Sequence, residues 1–487
     1  TKGKKQYEYN ITIVPVEIEY PAPVIKPLAM NPDSPKDVDY VHARLGYGDL
    51  KAAYADVSAQ IKNSDIFDLL VDGHFYNIDD TRSLANREFY ESDLNLTGGY
   101  RIGENHKLTF DLGGQYDYRN LYDTLFGRIA TDIERIERDI LDVDAHLAYG
   151  NIESTDGGLA YQGYLNGGRI SIDEDIESSE VRFGGGGFLS KELSDDFKLI
   201  LDADASFYNL EFSSIINSLQ YLYTIKPGVQ LTKGIITIDA QADIFIDNNG
   251  TNPFADVEVA ASILDNTIQP YIGLDQVTTA NSLAVKYSQN PFVSPRALEQ
   301  LNTISKQYYG GIRGRLRDFV KFNVTAGYES IRDQRFDRNF LGLLMGQTFD
   351  DMTNVFVNAD IVFNIGERLE VGGHVNQNFF NPETLENVIN MPSYTYNTYG
   401  EVRLLDQKLK VRVDLHLADK IFWRKPITEE IISGNKMLDL SVGVDYHIFE
   451  NFGLWARVNN IIDREYLRYH YYPTIGRNMQ GGVLIKF

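Results

Sequence analysis

The stretch LKVRVDLHL, residues 409–417, alternates apolar and polar side chains without interruption. Leucine and valine fill the odd positions, and Lys410, Arg412, Asp414 and His416 fill the even ones. Because successive side chains of a β-strand point to opposite faces, this pattern predicts a strand with one apolar and one charged face.

The same alternation recurs at residues 108–118, 141–149 and 235–246, where only Ile235 and Phe245 interrupt it. Strands of soluble proteins usually have about 5–6 residues. A tilted strand that crosses a bilayer needs roughly 9–11 residues, which matches these stretches. The pattern therefore predicts a transmembrane β-barrel of the outer-membrane type.

The connections between the predicted strands alternate between short polar turns and longer loops. The short turns lie near residues 103–105, 193–196, 232–234, 317–318, 366–367, 406–407 and 450–451, and the long loops near 119–134, 278–304, 333–350, 381–392, 420–434 and 463–476. Outer-membrane barrels have short periplasmic turns and longer extracellular loops. We therefore expect about 22 antiparallel strands, to within about two. An even number places both termini on the periplasmic side.

A soluble sandwich or propeller is the alternative, because it also uses alternating strands. A sandwich buries its apolar faces and has short loops at both ends. The number of strands, the unequal loops and the abundance of aromatic residues (31 Tyr and 26 Phe) favour the barrel. Aromatic girdles at the membrane interfaces account for such rings.

The 487-residue chain is acidic, with a formal net charge of -23, and it contains no cysteine. Disulfides, zinc–thiolate sites and thiol nucleophiles are therefore excluded. No basic stripe is present to neutralise phosphates, which argues against nucleic acid as a partner. We expect the protein in the outer membrane of a Gram-negative bacterium, in contact with its lipid.

Two regions differ in composition. Residues 1–38 carry six of the fifteen prolines and predict an extended periplasmic or lumenal segment. Residues 39–487 carry the alternating pattern and predict the barrel.

No motif points to catalysis. Acidic pairs such as Asp173 with Asp175 and Asp350 with Asp351 are typical of a solvated lumen or loop surface. The histidines lack zinc-site spacing, and neither a Gly-x-Ser-x-Gly elbow nor a P-loop is present. We expect no catalytic residues, no bound metal and no cofactor, while calcium binding by acidic loops stays open.

The last thirty residues, VNNIIDREYLRYHYYPTIGRNMQGGVLIKF, have a specific pattern. They resemble the closing strands of TonB-dependent outer-membrane receptors. The matching residues are Asn459, Asn460, Asp463, Tyr466, Gly476, Arg477 and the terminal Phe487. The resemblance implies a barrel of 22 strands.

The resemblance does not extend to the start of the chain. Such receptors carry a globular plug before the barrel, preceded by a short box that engages the energising periplasmic protein. Neither is found in the residues before 39. We therefore expect a plug-less relative, or a chain whose plug was lost with a trimmed N-terminus.

In the final predicted strand, Met479, Val483, Ile485 and Phe487 share one face. We expect this face to contact lipid while the strand pairs with the first strand and closes the barrel. An aromatic C-terminus on such a strand resembles the signal by which the barrel-insertion machinery recognises its substrates, so we expect these four residues to form an assembly signal.

A 22-strand barrel has a backbone diameter of roughly 40–45 Å, too wide for side chains to fill. Residues 1–38, inward-folded loops or another protein are the candidates to occupy the lumen. The loop at 278–304 is the best internal candidate, with an exposed cap as its alternative role, and Ser294 followed by Pro295 predicts a short helix there. We expect a non-enzymatic accessory or scaffold barrel within a complex of other outer-membrane proteins or surface lipoproteins. The alternative is a conduit for a bulky nutrient, gated by a plug or lid outside this chain.

Overall fold

The computed structural model describes residues 41–62, 66–81, 84, 87–121, 136–152, 154–155, 157–174, 177–213, 216–264, 267–294, 301–341, 344–424, 430–469 and 472–487. The predicted N-terminal segment, residues 1–38, lies outside the described residues, as do residues 295–300 of the helix predicted after Ser294.

Alternating side chains along the chain form strands throughout, and 22 of them join in one antiparallel sheet. The strands in chain order are β1 Val41–Gly48, β2 Ala53–Lys62, β3 Phe67–Asp79, β4 Glu88–Ile102, β5 His106–Leu121, β6 Ile136–Asn151, β7 Leu159–Asp173, β8 Ser178–Ser194, β9 Phe197–Phe212, β10 Ile216–Lys233, β11 Ile236–Asp247, β12 Gly250–Ala261, β13 Ile268–Thr279, β14 Thr303–Leu316, β15 Val320–Leu341, β16 Leu344–Ile365, β17 Leu369–Pro382, β18 Tyr394–Leu404, β19 Leu409–Ala418, β20 Phe422–Arg424, β21 Ile431–Ser433, β22 Met437–His447, β23 Phe452–Asn459, β24 Leu467–Tyr469, β25 Tyr472–Pro473 and β26 Asn478–Lys486. The β20–β21 and β24–β25 pairs are small separate hairpins within loops, and the other strands form the barrel.

The barrel closes where β26 pairs with β1. The register places Lys486 opposite His42 and Gly481 opposite Tyr47. Beyond these pairs, the amide of Phe487 donates to the carbonyl of Val41 at 2.9 Å, and the amide of Val41 donates back at 3.1 Å. The predicted closed antiparallel barrel of 22 strands is therefore confirmed.

The two ends of the barrel differ in the lengths of their connections, as the sequence predicts. The long loop predicted at residues 333–350 is wrong, because these residues extend β15 and β16 as a paired hairpin. One end, the short rim, carries connections 63–66, 103–105, 152–158, 195–196, 234–235, 262–267, 317–319, 366–368, 405–408 and 448–451. The other end, the long rim, carries connections 49–52, 80–87, 122–135, 174–177, 213–215, 248–249, 280–302, 342–343, 383–393, 419–436 and 460–477. Both ends of the described chain, Val41 and Phe487, lie at the short rim.

The faces of the wall are reversed relative to a soluble protein. On β6, Leu141 and Leu147 point outward and are 45 % and 44 % exposed, whereas Ile140 is 7 % exposed on the lumenal face. On β19, Val413 points outward while Lys410 is buried in the lumenal wall, 3.0 Å from Glu401. An apolar exterior around a charged interior is the arrangement expected of a barrel surrounded by lipid.

The structure contains one α-helix within its described residues, α1 Leu283–Gln289. It lies in the loop predicted to be structured and begins after Ser282. No helix in the described part of the chain is long and apolar enough to cross a membrane.

The four residues of the predicted assembly signal share the outward face of β26. Met479 and Phe487 are 51 % and 70 % exposed, whereas Leu484, on the opposite face, is 1 % exposed. The backbone of this strand packs tightly against β1, because a Cβ atom on Gly482 would collide with the carbonyl oxygen of Leu45. Glycine is therefore required where the barrel closes.

We predict that Gly482→Val destabilises the closed barrel. Forcing a branched side chain into a filled space costs about 1–3 kcal/mol. The measurement is the temperature at which the folded barrel converts to the slower-migrating unfolded band in electrophoresis, and it should fall. Gly443→Val is the matched control, because a Cβ atom there meets nothing within 4 Å. Equal effects of the two substitutions would contradict the close approach of β26 to β1.

We also predict that removing the Phe487 ring, by deletion or by Phe487→Ala, lowers the amount of assembled barrel in membranes several-fold. The alanine variant keeps the backbone pairing with Val41, so it isolates the aromatic ring. Phe449→Ala is the control, because Phe449 is 65 % exposed at a short-rim turn and lies outside the final strand. Unchanged assembly of the Phe487 variants would exclude an assembly signal in this residue.

Candidate functional site

The loop between β13 and β14 folds into the lumen just inside the long rim. Its helix starts with Ser282, whose hydroxyl accepts from the amide of Val285 at 3.3 Å, as in an N-cap. The helix ends at Asn290, whose amide donates to the carbonyl of Lys286 at 3.0 Å. Residues 281–294 are called the crossing segment below.

The helix of the crossing segment packs on the lumenal side of β6–β9. Leu283 and Tyr287 form a buried cluster with inward-facing residues of these strands, namely Ile140, Ile170, Ile172 and Leu210. The amide of Leu283 also donates to the carboxylate of Glu180 at 2.8 Å, and Glu180 is fully buried. Burying an apolar side chain of this size contributes about 1.5–3 kcal/mol.

Arg138 holds the next turn of the crossing segment. Its guanidinium donates to the carbonyl of Pro291 at 2.5 Å and to the carboxylate of Glu174 at 2.5 Å, and it lies over the ring of Tyr287, 5.4 Å from its centroid. Arg138 has no exposed surface. Removing one partner of a buried ion pair typically costs about 3–5 kcal/mol. Burial raises the pKa of the Tyr287 phenol, so this ring stays neutral.

The far end of the crossing segment is held by another sector of the wall. The amide nitrogen of the Asn290 side chain donates to Asp337 of β15 at 2.8 Å. Arg335, also of β15, donates to the side chain of Gln289. These contacts attach the C-terminal end of α1 to strands on a different side of the ring from β6–β9.

A third sector contacts the crossing segment through aromatic rings. Phe292 stacks on Tyr472 with centroids 3.5 Å apart, and the hydroxyl of Tyr469 donates to the carbonyl of Gln289 at 2.8 Å. Tyr469 and Tyr472 belong to the β24–β25 hairpin between β23 and β26. Because β6–β9, β15 and the β23–β26 connection are spread around the ring, the segment that touches all three must cross the lumen.

The crossing segment closes the lumen near the long rim, and loops 383–393 and 419–436 add a second layer to this closure. The amide of Asn390 donates to the carbonyl of Phe422 at 2.9 Å, which joins loop 383–393 to loop 419–436. The Asn390 side chain donates to the carbonyl of Asp337 at 2.5 Å, so the residue that binds Asn290 also holds the second layer. The closure is therefore one connected assembly.

The acidic pair Asp350 and Asp351 of β16 binds backbone amides of loop 383–393 and of β15. The carboxylate of Asp350 accepts from the amides of Thr384 and Leu385 at 3.0 and 2.9 Å, and Asp351 accepts from the amide of Asp333 at 2.9 Å. These carboxylates satisfy backbone donors, which is a structural role. Among the residues that the structure describes, no group of three His, Cys, Asp or Glu residues is placed to hold a metal ion.

The C-terminal residues that carry the family resemblance are called the closing motif below. Several of them come together in the 460–477 loop. The side chain of Asn460 donates to the carbonyls of Arg464 and Ile475 at 3.0 and 3.1 Å, which ties the two arms of the loop together. Asp463 accepts from the amide of Arg477 at 2.8 Å and lies beside Gly476. These bonds hold the loop that carries Tyr469 and Tyr472.

The remaining motif residues support the base and the flank of that loop. Asn459 donates to Asn478 at 2.8 Å, across the β23–β26 pair from which the loop rises. The amide of Tyr466 donates to the hydroxyl of Thr474 at 3.2 Å, and the ring packs beside the buried Trp423. Burial raises the pKa of Tyr466 to about 12. The motif thus determines the shape of the loop, while any function of its individual residues stays a prediction.

Sequence analysis did not find Arg138, Glu180 or Asp337, which hold the crossing segment. Their partners in the crossing segment lie more than forty positions away in the chain, so no local spacing reveals them. The helix start did carry a signal that was missed, since Ser282 precedes Leu283 and Tyr287, which share a face at the i, i+4 spacing.

No protein-family model and no curated protein sequence matches the chain. Solved structures do match. The FrpB iron transporter from Neisseria meningitidis is 11 % identical with a TM-score of 0.71, and the match covers 93 % of this chain and 82 % of that one. The ferric-catecholate import receptor Fiu from K12 E. coli is 9 % identical with a TM-score of 0.70 and the same coverage.

A third match is FpvAI in its complex with pyocin S2, which is 12 % identical with a TM-score of 0.66. That match covers 93 % of this chain and 74 % of the other. All three share the barrel described here, and the resemblance of the last thirty residues agrees with them. The chain is therefore a β-barrel of the outer-membrane type with the fold of the TonB-dependent receptors.

Proposed function

We propose that the chain is the membrane conduit of a receptor for a bulky nutrient, with the crossing segment as its internal closure. The observation that carries the proposal is the attachment of residues 281–294 to three separate sectors of the wall. In this arrangement the long rim faces the cell exterior, and the short rim, with Val41 and Phe487, faces the periplasm. The conduit performs no catalysis.

The chemistry of the lumen supports a hydrated passage below the closure. Inward-facing charges are paired along the wall, as in Arg313 with Glu258 at 2.7 Å and Arg44 with Asp445 at 2.6 Å. Charged walls retain water, and a wide hydrated passage breaches the membrane barrier unless something obstructs it. FrpB and Fiu are described as an iron transporter and an import receptor, which favours transport for a barrel of the same fold.

The free energy of ligand binding is large enough to break some of the hydrogen bonds that hold the closure. A hydrogen bond contributes about 0.5–1.5 kcal/mol net, or about 1.5–3 kcal/mol when one partner is charged. Binding at micromolar affinity releases about 8 kcal/mol. A ligand that contacts the loops more favourably in the open state therefore has enough free energy to displace part of the closure.

We predict that the double variant Arg138→Ala, Phe292→Ala raises solute permeation through the purified barrel. It removes the buried cation and the stacked ring that hold two sides of the crossing segment. The measurement is liposome swelling with sugars of increasing size. Opened barrels should admit sugars that the unmodified protein excludes, and swelling should accelerate several-fold.

The control variant is Arg315→Ala, Phe319→Ala, which makes the same two substitutions near a short-rim turn. Arg315 pairs with the exposed Asp318, and Phe319 is 52 % exposed. This control should swell at the unmodified rate. If the Arg138, Phe292 variant folds, as judged by its heat-modified mobility, and still admits no sugar, the crossing segment is not the closure of a conduit.

A scaffold role within an outer-membrane complex is the second candidate, and the long β15–β16 hairpin favours it. Its strands have 22 residues each, about twice what a membrane crossing needs. The excess length lies at the long rim, where its Arg335 and Asp337 hold the crossing segment, and its tip beyond them is the place for a partner to bind. FpvAI, which has the same fold, is recorded in a complex with the protein pyocin S2.

The scaffold role predicts a fixed set of co-purifying outer-membrane proteins or surface lipoproteins in a gentle detergent. Shortening the hairpin by removing residues 339–345 should release them while leaving the barrel and the contacts of Arg335, Asp337 and Asp350 in place. Removing the short-rim residues Asp406 and Gln407 is the control, and it should retain the partners. A barrel that purifies alone from native membranes would exclude this role.

A further inference from the structure

A groove of about 430 Å³ lies on the outer face of the barrel, where β18, β19 and β22 reach the long rim. Four apolar or aromatic side chains of these strands form its floor, and two cations from the long-rim connections line its end. These residues are Tyr394, Tyr396, Leu417 and Leu438 for the floor and Lys436 and Arg464 for the end. We call this site the outer groove.

The strand register builds the floor of the outer groove. Tyr396 lies opposite Leu417, which in turn lies opposite Leu438, so one row of side chains crosses three strands. Val413, four positions before Leu417 and therefore on the same face, is 38 % exposed on the outside of the barrel. Tyr394 continues this face toward the long rim, and its ring centroid is 5.2 Å from that of Tyr396.

The outer groove lies at the edge of the apolar band of the wall. The outward positions of 409–417 on β19 are all leucine or valine, and those of 438–446 on β22 are leucine, valine and one tyrosine. A tilted strand needs roughly 9–11 residues to cross a bilayer, so each of these stretches is one crossing. The stretches end at Leu417 and Leu438, and the next outward position on the β22 side is Lys436. The floor therefore contacts the apolar layer, and the cations lie at the level of the lipid head groups.

The aromatic floor agrees with this depth. Tyrosine is enriched where a membrane meets water, because its ring is apolar while its hydroxyl is polar. Tyr394 and Tyr396 lie where the apolar band ends, and within the described part of the chain their hydroxyls have no hydrogen-bond partner. Both hydroxyls are therefore open to a ligand.

The two cations at the end of the outer groove are also open. The side chains of Lys436 and Arg464 are exposed, and neither has a carboxylate partner among the residues that the structure describes. The Lys436 ammonium lies 5.7 Å from the centroid of the Tyr394 ring. The backbone of Arg464 is held by Asn460, which accepts from its amide at 3.2 Å and donates to its carbonyl at 3.0 Å. The guanidinium is thus attached to a fixed backbone but not occupied by the protein.

No lining residue of the outer groove is acidic. Asp419 follows β19 nearby, and its amide donates to the carbonyl of Tyr394 at 3.0 Å. Its carboxylate accepts from the hydroxyl of Ser393 and does not line the groove. In a chain with a net charge of -23, two cations side by side without acidic partners are a local exception. The charge of the groove is complementary to an anion.

We propose that the outer groove binds a lipid of the surrounding membrane whose head carries a phosphate. Ammonium and guanidinium groups form strong charge-assisted hydrogen bonds with phosphate oxygens, and the tyrosine hydroxyls donate to the same head. An acyl chain covers the row of Tyr396, Leu417 and Leu438. A free phosphate ion would meet the cations but leave this apolar floor uncovered, so the floor favours the lipid.

The bound lipid joins two connections of the long rim. Lys436 ends connection 419–436, and Arg464 lies in the 460–477 loop, so one phosphate between them links these segments. The site lies outside the lumen, and the proposal holds whether or not the barrel conducts a nutrient.

The first test titrates the purified barrel in detergent with phosphatidic acid and follows binding by native mass spectrometry. Diacylglycerol with the same acyl chains and inorganic phosphate are the separate comparison ligands. The unmodified protein should bind one phosphatidic acid at least tenfold more tightly than either. The double variant Lys436→Ala, Arg464→Ala should lose roughly tenfold or more of that affinity, because each cation near the membrane surface attracts the anionic head.

The matched control is Lys306→Ala, Arg332→Ala, which removes the same two residue types from β14 and β15. Lys306 lies over the ring of Phe254, 5.1 Å from its centroid, and Arg332 donates to Asn252 at 3.0 Å. The control should keep the affinity of the unmodified protein. Equal loss in both variants would show general charge attraction, and no loss in either would show that the cations bind no lipid. Diacylglycerol or inorganic phosphate binding as tightly as phosphatidic acid would equally overturn the proposal.

The second test measures the depth of the outer groove with single nitroxide labels, because the chain has no cysteine of its own. The labels are placed at Val413→Cys, Leu417→Cys and Lys436→Cys in liposomes. Val413 should be relaxed mainly by oxygen, which concentrates in lipid, Lys436 mainly by a water-soluble nickel complex, and Leu417 by both. Leu417 and Lys436 labels that are both as accessible to nickel as each other, or both as shielded as Val413, would remove the groove from the membrane edge and overturn the proposal.

Discussion

The structure depends on one constraint, which is that each backbone N–H and C=O group in contact with lipid needs a partner within the sheet. Closing β26 onto β1 meets this need for the two strands that would otherwise be edges. The closure imposes its own local demands, since Gly482 must leave space for the carbonyl of Leu45. The terminal residue takes part as well, through its two hydrogen bonds with Val41. An apolar tail is therefore the last piece of a continuous ladder.

The reversed distribution of side chains follows from that closure. With lipid outside, the apolar face needs no core, and the charged face turns to a hydrated interior where ion pairs such as Lys410 with Glu401 satisfy one another. The apolar clusters of the molecule are consequently small and lie at the long rim, where loops fold inward. Leu283 with Tyr287 and Phe292 with Tyr472 are the parts of this protein that resemble the core of a soluble domain.

Period-2 alternation predicted the barrel, the strand number and the orientation of faces, because each depends on neighbours along one strand. The unequal lengths of the connections at the two rims were also predictable, except at residues 333–350, which were predicted as a loop and instead extend the β15–β16 hairpin. The crossing segment was predicted only as a structured loop, and the helix that begins after Ser282 was not predicted. Its anchors, Arg138 and Asp337, act through contacts with distant parts of the chain that no local pattern encodes. The closing motif was recognised by resemblance, yet its role in tying the 460–477 loop together became clear only from the hydrogen bonds of Asn460 and Asp463.

The position of Asp337 determines how the closure responds to force or binding. Its carboxylate holds Asn290 of the crossing segment, and its backbone carbonyl holds Asn390 of the loop above. Displacing either loop disturbs a residue that also binds the other, so the two layers are coupled through Asp337. A ligand acting on the outer layer would thus meet a threshold below which little happens and above which both layers yield together. The long rim would then behave as a latch with two states, rather than as a sieve whose width varies continuously.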